Sequence, residues 1–220
     1  MPKLATTPIT AKDAGIDLPI ILASSSKYRK QLLSKLEISF DCYSPEIDET
    51  PRINESIDVL VERLATEKAL KTAALYKHGL VIGSDQAAIT LDAHNKPIIL
   101  GKPHTDENAF KQLKLCSGQS VIFKTGLCVF DIDSSRKMSC VEDFTVNFRE
   151  LTESEILRYI ELEQPLDCAG SFKSEGLGIR LFSSMQGKDP NALVGLPLIT
   201  LIDFLLAFGV DPLSISAKQR

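Results

Sequence analysis

Apolar positions in this chain fall into short continuous runs alternating with helical stripes. Ile20-Ile21-Leu22-Ala23 is an aliphatic run of strand length. Ser24-Ser25-Ser26 follows, and Leu32, Leu33 and Leu36 then recur at helical spacing from about Lys27. A serine cluster ahead of such a stripe is an N-cap signal, because its hydroxyls accept the free N–H groups of the first turn. A long helix is predicted from about Ser56 to Tyr76, with Ile57, Leu60, Val61, Leu64 and Leu75 as its apolar stripe. Leu80-Val81-Ile82 predicts a buried strand ending at Gly83-Ser84-Asp85-Gln86. Ala88 to Leu91 and Pro97 to Leu100 flank the polar turn Asp92 to Lys96 as a hairpin.

Thr105 is placed to cap a helix of roughly Asp106 to Leu115, closed by Ser117-Gly118. Two long β-rich segments follow, Ser120 to Phe130 and Lys137 to Phe148, joined by the turn Asp131 to Arg136. Thr152-Glu153-Ser154-Glu155 is a capping box opening a helix to about Leu162. Pro165 to Glu175 reads as a polar loop, Gly176 to Phe182 as a strand, and Pro197 to Phe208 as the last helix. This mixture of βα units and hairpins predicts an α/β fold with a mixed sheet.

The chain has 220 residues, 44% hydrophobic and 25% charged, enough for one domain or two small lobes with a real core. Its net charge of −4 gives no general pull toward nucleic acid or a membrane surface, so an anionic ligand needs a local basic pocket. Cys42, Cys116, Cys128, Cys140 and Cys168 form no CxxC and complete no zinc pattern, which suits reduced thiols in a cytoplasmic protein. Residues 1–17 carry charges and no apolar core. They read as a poorly ordered extension rather than a signal peptide. Residues 18–210 are expected to form a single catalytic domain and 211–220 a tail. The apolar stretch from Leu196 to Phe208 is broken by Asp203 and is too short to span a bilayer.

Charged residues in unusual places carry the candidate chemistry. Asp85 follows a buried run, at the end of a strand where α/β sheets open their ligand crevice. A charge there can find a metal ion or a polar substrate as partner, although an aspartate that turns the chain is the commoner reading. Lys68 falls on the apolar stripe of the long helix, so it must snorkel to water or meet a negative charge. Arg29 and Lys30 stand in a first helical turn, where cations oppose the helix dipole and an anionic ligand would offset the cost. Solvation suffices for Lys30. Arg29, Lys68 and Lys102 together with Asp48, Glu49 and Asp85 are the combination that polyphosphate chemistry needs. Cations neutralise phosphate oxygens, and carboxylates hold Mg²⁺ or Mn²⁺ and orient water. No nucleophile elbow, Walker loop or GxGxxG is present.

Several motifs in order match a known family. Ile21-Leu22-Ala23-Ser24-Ser25-Ser26-Lys27-Tyr28-Arg29, Ile47-Asp48-Glu49-Thr50, Glu67-Lys68-Ala69, Ile82-Gly83-Ser84-Asp85-Gln86 and Leu100-Gly101-Lys102-Pro103 resemble the successive motifs of the Maf nucleotide pyrophosphatases. So do Thr125-Gly126-Leu127, Ala169-Gly170-Ser171-Phe172 and Val194-Gly195-Leu196-Pro197. The resemblance implies a two-lobed α/β fold with an elongated mixed sheet flanked by helices, like that of inosine triphosphate pyrophosphatases, and a cleft active site. It implies cytoplasmic, divalent-metal-dependent hydrolysis of a nucleoside triphosphate to monophosphate and pyrophosphate, often by a homodimer. Asp85 then corresponds to the proton acceptor. Arg29, Lys68 and Lys102 correspond to the phosphate pocket, with Ser24 beside it. Glu49 corresponds to a metal or water partner, sharing the metal with Asp85.

Ser171-Phe172-Lys173-Ser174-Glu175-Gly176 resembles the branch acting on 7-methyl-GTP, with Tyr28, Gln86 and Glu175 at specificity positions. N7-methylation makes guanine cationic. Tyr28 can offer an aromatic face to that cation, and Glu175 can accept hydrogen bonds from the guanine edge. Lys27 departs from the proline common in the family. Sister activities on dTTP, UTP or CTP are the alternative, as is a nucleotide-binding regulator of cell division.

Overall fold

In the computed structural model, residues 18–92, 94 and 96–216 are described. The extension predicted over 1–17 lies outside them, as do residues 217–220 of the predicted tail.

The first apolar run forms β1 (Ile20–Ala23), buried along its whole length. Ser26 caps α1 (Lys27–Ser34) through the Arg29 N–H. β2 (Asp41–Tyr43) pairs in parallel with β1. It carries no apolar run and its residues are exposed, so the hydrophobic pattern gives no sign of it. Ser56 caps α2 (Ile57–Ala73). Leu75, expected on the stripe, lies beyond the helix and is exposed, because the buried face is completed by small residues, Ala65, Ala69 and Ala73.

β3 (Leu80–Leu91) is one strand where two were expected. After it come β4 (Pro97–Leu100), α3 (Asp106–Cys116), β5 (Ser120–Asp131), β6 (Lys137–Phe148) and α4 (Glu153–Glu163). Asp85 therefore sits in mid-strand, not at a strand end. The cause is β5, which pairs with β3 continuously from Leu80↔Asp131 to Ile89↔Ile122 and keeps Gly83 to Ala87 extended. The strand expected over Gly176 to Phe182 is instead a 3-10 segment, Leu177–Leu181, followed by β7 (Phe182–Gly187). The chain folds back tightly there, and a Cβ on Gly178 would lie 2.2 Å from the Lys173 carbonyl. α5 (Pro190–Leu193) precedes α6 (Leu198–Ala207), and α7 (Pro212–Ser216) falls in the predicted tail.

The strands form one seven-stranded mixed sheet in the order β2-β1-β3-β5-β6-β7, with β4 also on β3. β1 pairs in parallel with both neighbours, and the remaining pairs are antiparallel. One core gathers Leu113, Phe123, Val146, Ile156 and Phe172. At the other lobe Leu22, Leu33, Ile82 and Leu201 pack on one face, and Ile21, Ala65, Ala69 and Val81 on the face covered by α2.

The site lies between these lobes. On the side of β3 away from β5, β1 pairs only with Leu80 to Ile82, and β4 only with Ala88 to Leu91. Gly83 to Ala87 have no strand neighbour on that side among the described residues. The sheet thus opens a crevice at the carboxyl end of β1, the kind of place where α/β sheets take ligands.

Candidate active site

A cleft of about 520 Å³ fills this opening, and Ser24, Tyr28, Arg29, Glu49, Lys68, Asp85, Gln86, Lys102 and Glu175 all line it. Residues from six separate stretches of chain are thereby brought together. Asp48, grouped with them from the sequence, does not line the cleft; it is exposed and its carboxylate accepts from the Thr50 N–H at 2.9 Å. Lys30 is exposed, as solvation requires.

Strand alternation puts Val81, Gly83 and Asp85 on the face of β3 that α2 covers. Two glycines let that helix lie unusually close. A Cβ on Gly83 would come 2.1 Å from the Ala65 carbonyl, and one on Gly126, directly across from Asp85, 2.2 Å from the Val61 carbonyl. The close approach delivers Lys68 to the strand. Its ammonium lies 2.6 Å from Asp85 Oδ1 and 2.7 Å from Glu49 Oε1. Lys68 does not snorkel to water; at 9% exposure it meets two carboxylates.

Glu49 rides on a loop that α2 fastens. Arg63 Nη2 donates to the Thr50 carbonyl at 3.2 Å, and Lys71 donates to the Glu46 carbonyl. Arg63 is itself held by Glu55, at 2.5 Å and 2.8 Å. The Arg63 guanidinium holds the Glu55 carboxyl down at about 2. Neither residue lines the cleft, and nothing in their spacing marked them beforehand.

Arg29 Nε donates to the Gly195 carbonyl at 2.8 Å, and the Ser84 hydroxyl lies 2.9 Å from the same oxygen. Burial lowers the Arg29 pKa, while the negative charges of Asp85 and Glu49 pull it back up. Ser24 accepts from the Ser26 N–H at 3.1 Å and fixes the turn into α1. Lys102 stands exposed in a loop tied down on both sides. Gln112 donates to the Gly101 carbonyl at 3.1 Å and Asn108 to the Pro103 carbonyl at 3.0 Å.

The other end of the cleft is aromatic and acidic. The Tyr28 hydroxyl lies 3.7 Å from Cys168 Sγ, and burial followed by that contact raises the Tyr28 pKa. The Lys27 ammonium sits 5.1 Å from the centre of the Tyr28 ring. Glu175 is exposed and accepts from the Ser174 hydroxyl at 3.3 Å. Gln86 faces away from Asp85, as its neighbour in a strand must. Its amide nitrogen donates to Thr125 Oγ1 and to the Ala192 and Leu193 carbonyls at 3.0, 2.7 and 3.2 Å. The Gln86 amide N–H groups are thus committed to the protein, leaving its side-chain carbonyl oxygen outside these hydrogen bonds. Asp167, Cys168, Phe172 and Leu193 also line the cleft; the sequence reading assigned them no role there.

Among the described residues no group of three or more His, Cys, Asp or Glu side chains forms a metal cluster. Asp85 and Glu49 nonetheless converge on one ammonium, so both carboxylates already stabilise a cation at a shared point. Such a pair fits a hard divalent cation of the Mg²⁺ type, which takes one or two carboxylates and fills its shell with water and phosphate oxygens. No described helix is long and apolar enough to cross a membrane.

Comparison with known proteins places the chain in a family. A family model described as Maf-like protein matches residues 19–208. The chain is 52% identical over 200 residues to a 7-methyl-GTP pyrophosphatase of Pseudoalteromonas translucida (strain TAC 125), covering 91% of this chain and 96% of that one. It is 54% identical over 193 residues to a 7-methyl-GTP pyrophosphatase of Pseudomonas aeruginosa, covering 87% and 97%. Among solved structures, the Staphylococcus aureus Ham1 protein aligns with a TM-score of 0.49 at 14% identity, over 86% of this chain and 99% of that one.

Proposed function

The chain belongs to the Maf family, and from that premise we propose that it hydrolyses 7-methyl-GTP to 7-methyl-GMP and diphosphate in the cytoplasm. The observation that carries the chemistry is the Lys68 ammonium bridging Asp85 and Glu49 at the mouth between the two lobes.

Arg29 and Lys102 enter the cleft from opposite lobes and neutralise the triphosphate, Arg29 with a planar fork suited to phosphate oxygens. Lys68 holds Asp85 in place and adds positive charge beside the reacting phosphorus. Asp85 orients a water molecule and takes its proton as the oxygen attacks. The phosphorus–oxygen bond to the departing pyrophosphate breaks, and the phosphate-pocket cations stabilise the charge that develops on it. Asp85 and Glu49 are the residues that would hold Mg²⁺ or Mn²⁺, which would supply further neutralisation of phosphate charge.

At the base end, Tyr28 presents an aromatic face to the cationic ring, an attraction of about 0.5–2 kcal/mol. Glu175 accepts from the guanine N1–H and exocyclic amine.

The test is pyrophosphate release from 7-methyl-GTP, GTP, dTTP, UTP and CTP, with and without Mg²⁺ or Mn²⁺. The proposal expects metal-stimulated turnover with the highest kcat/KM on 7-methyl-GTP. A preference for a pyrimidine nucleotide would assign the chain a sister activity. Tight binding without turnover would make it a nucleotide-binding regulator.

A further inference from the structure

Asp167 lines the same cleft as Glu175. It sits in the turn after α4, where the Cys168 N–H donates to the Pro165 carbonyl at 3.3 Å. Because Cys168 Sγ lies 3.7 Å from the Tyr28 hydroxyl, this turn is the wall beside the Tyr28 ring. Asp167 is exposed and makes no ion pair or hydrogen bond among the described residues. The charges of Glu175 and Asp167 both help to push up the Tyr28 hydroxyl and the Cys168 thiol. Arg29 feels Asp85 and Glu49 instead. The cleft therefore carries separate acidic groups at its two ends.

The charge balance at the Tyr28 end gives Asp167 its importance. The Lys27 ammonium lies 5.1 Å from the Tyr28 ring centre and opposes any cation arriving there. Lys173 also acts on the Cys168 thiol, but its charge is balanced by Glu163: its ammonium donates to the Glu163 carbonyl at 2.5 Å and lies 3.5 Å from the Glu163 carboxylate. Against Lys27, Glu175 alone would leave this end neutral. Asp167 makes it net negative. The ring of 7-methyl-GTP differs from that of GTP by one methyl group and one positive charge, so a net negative wall distinguishes them where shape barely does.

We propose that Asp167 is a specificity-determining residue that favours the cationic base of 7-methyl-GTP over the neutral base of GTP. The inference rests on the nucleotide reading above. A competing role exists in the same geometry. The Asp167 turn touches the Lys102 loop, since the His104 N–H donates to the Leu166 carbonyl at 3.1 Å. Asp167 acting through Lys102 would alter both nucleotides alike.

The experiment compares kcat/KM for 7-methyl-GTP and GTP in the wild type, Asp167→Asn and Asp167→Glu, with thermal midpoints to confirm folding. Asp167→Asn should lower the 7-methyl-GTP to GTP ratio about threefold, the scale of an exposed charge interaction. Asp167→Glu should keep the ratio near the wild-type value. Equilibrium binding of 7-methylguanosine, which has no phosphate, should weaken in Asp167→Asn relative to guanosine. An unchanged ratio in both assays overturns the proposal. Failure of the wild type to turn over 7-methyl-GTP would instead overturn the nucleotide reading, and the nucleoside measurement would still report on Asp167.

Discussion

The Lys68 ammonium lies 2.6 Å from Asp85 Oδ1, and both side chains are nearly out of water, at 11% and 13% exposed. Charges held this way are strongly coupled, because either one alone keeps its desolvation penalty without its partner. Lys68→Met should destabilise the protein by about 3 kcal/mol. Adding Asp85→Asn should recover part of that loss, with a coupling energy of about 1–3 kcal/mol. Denaturant unfolding of the wild type, both single variants and the double variant measures it. A coupling near zero would mean that the pair does not form in solution.

Gly83 transmits helix position to the pair. A Cβ there would meet the Ala65 carbonyl at 2.1 Å, so Gly83→Ala must push α2 off the sheet. Overpacking of this kind costs about 1–3 kcal/mol. Moving α2 also draws Lys68 from Asp85, so kcat should fall more than stability alone explains. Chemical denaturation and steady-state kinetics on the purified variant check both. Wild-type kcat would separate the helix contact from the site.

Glu55 anchors Arg63, which holds the loop carrying Glu49. Its carboxyl is held at about 2, well below its ordinary 4.5, chiefly by hydrogen bonding to Arg63. A lowered folded-state pKa contributes stability at pH above about 4.5, and that contribution disappears as pH falls toward 2. The Tm gap between wild type and Glu55→Gln should therefore be largest near neutrality and shrink on acidification from pH 5 to pH 2.5 (about one proton's worth). A gap independent of pH would contradict the assigned anchor.

Tyr28→Ala should raise KM for 7-methyl-GTP more than for GTP, because only the methylated ring is cationic. Loss of about 0.5–2 kcal/mol corresponds to a change of roughly two- to thirtyfold in the ratio. Equal changes in the two KM values would reject a stacking role.

Local signals survived from sequence to structure. Ser26, Thr105 and Thr152 all cap the helices they were read to cap, and Ser56, read only as the approximate start of its helix, caps that one, since an N-cap depends only on the next few residues. Lys68 stayed ambiguous on its own helix because its partner Asp85 is 17 positions away on a strand. Asp85 looked like a strand end because Gly83 and Ser84 interrupt the apolar run; only pairing with β5 keeps that segment extended. Leu177, Ile179 and Leu181 alternate like a strand, yet the tight contact of Gly178 with Lys173 forces a 3-10 turn. The site residues were recognisable as motifs, but the Arg63–Glu55 lock behind Glu49 was not, since its partners carry no motif and meet only when the loop folds onto α2.

Asp85→Asn tests the central claim most directly. The substitution keeps the side-chain size and a hydrogen-bonding oxygen but removes the carboxylate proposed as the base. Pyrophosphate release from 7-methyl-GTP by the folded variant should fall about a hundredfold or more, the usual contribution of a positioned general base, while binding of the nucleotide persists. Turnover close to that of the wild type would contradict the account.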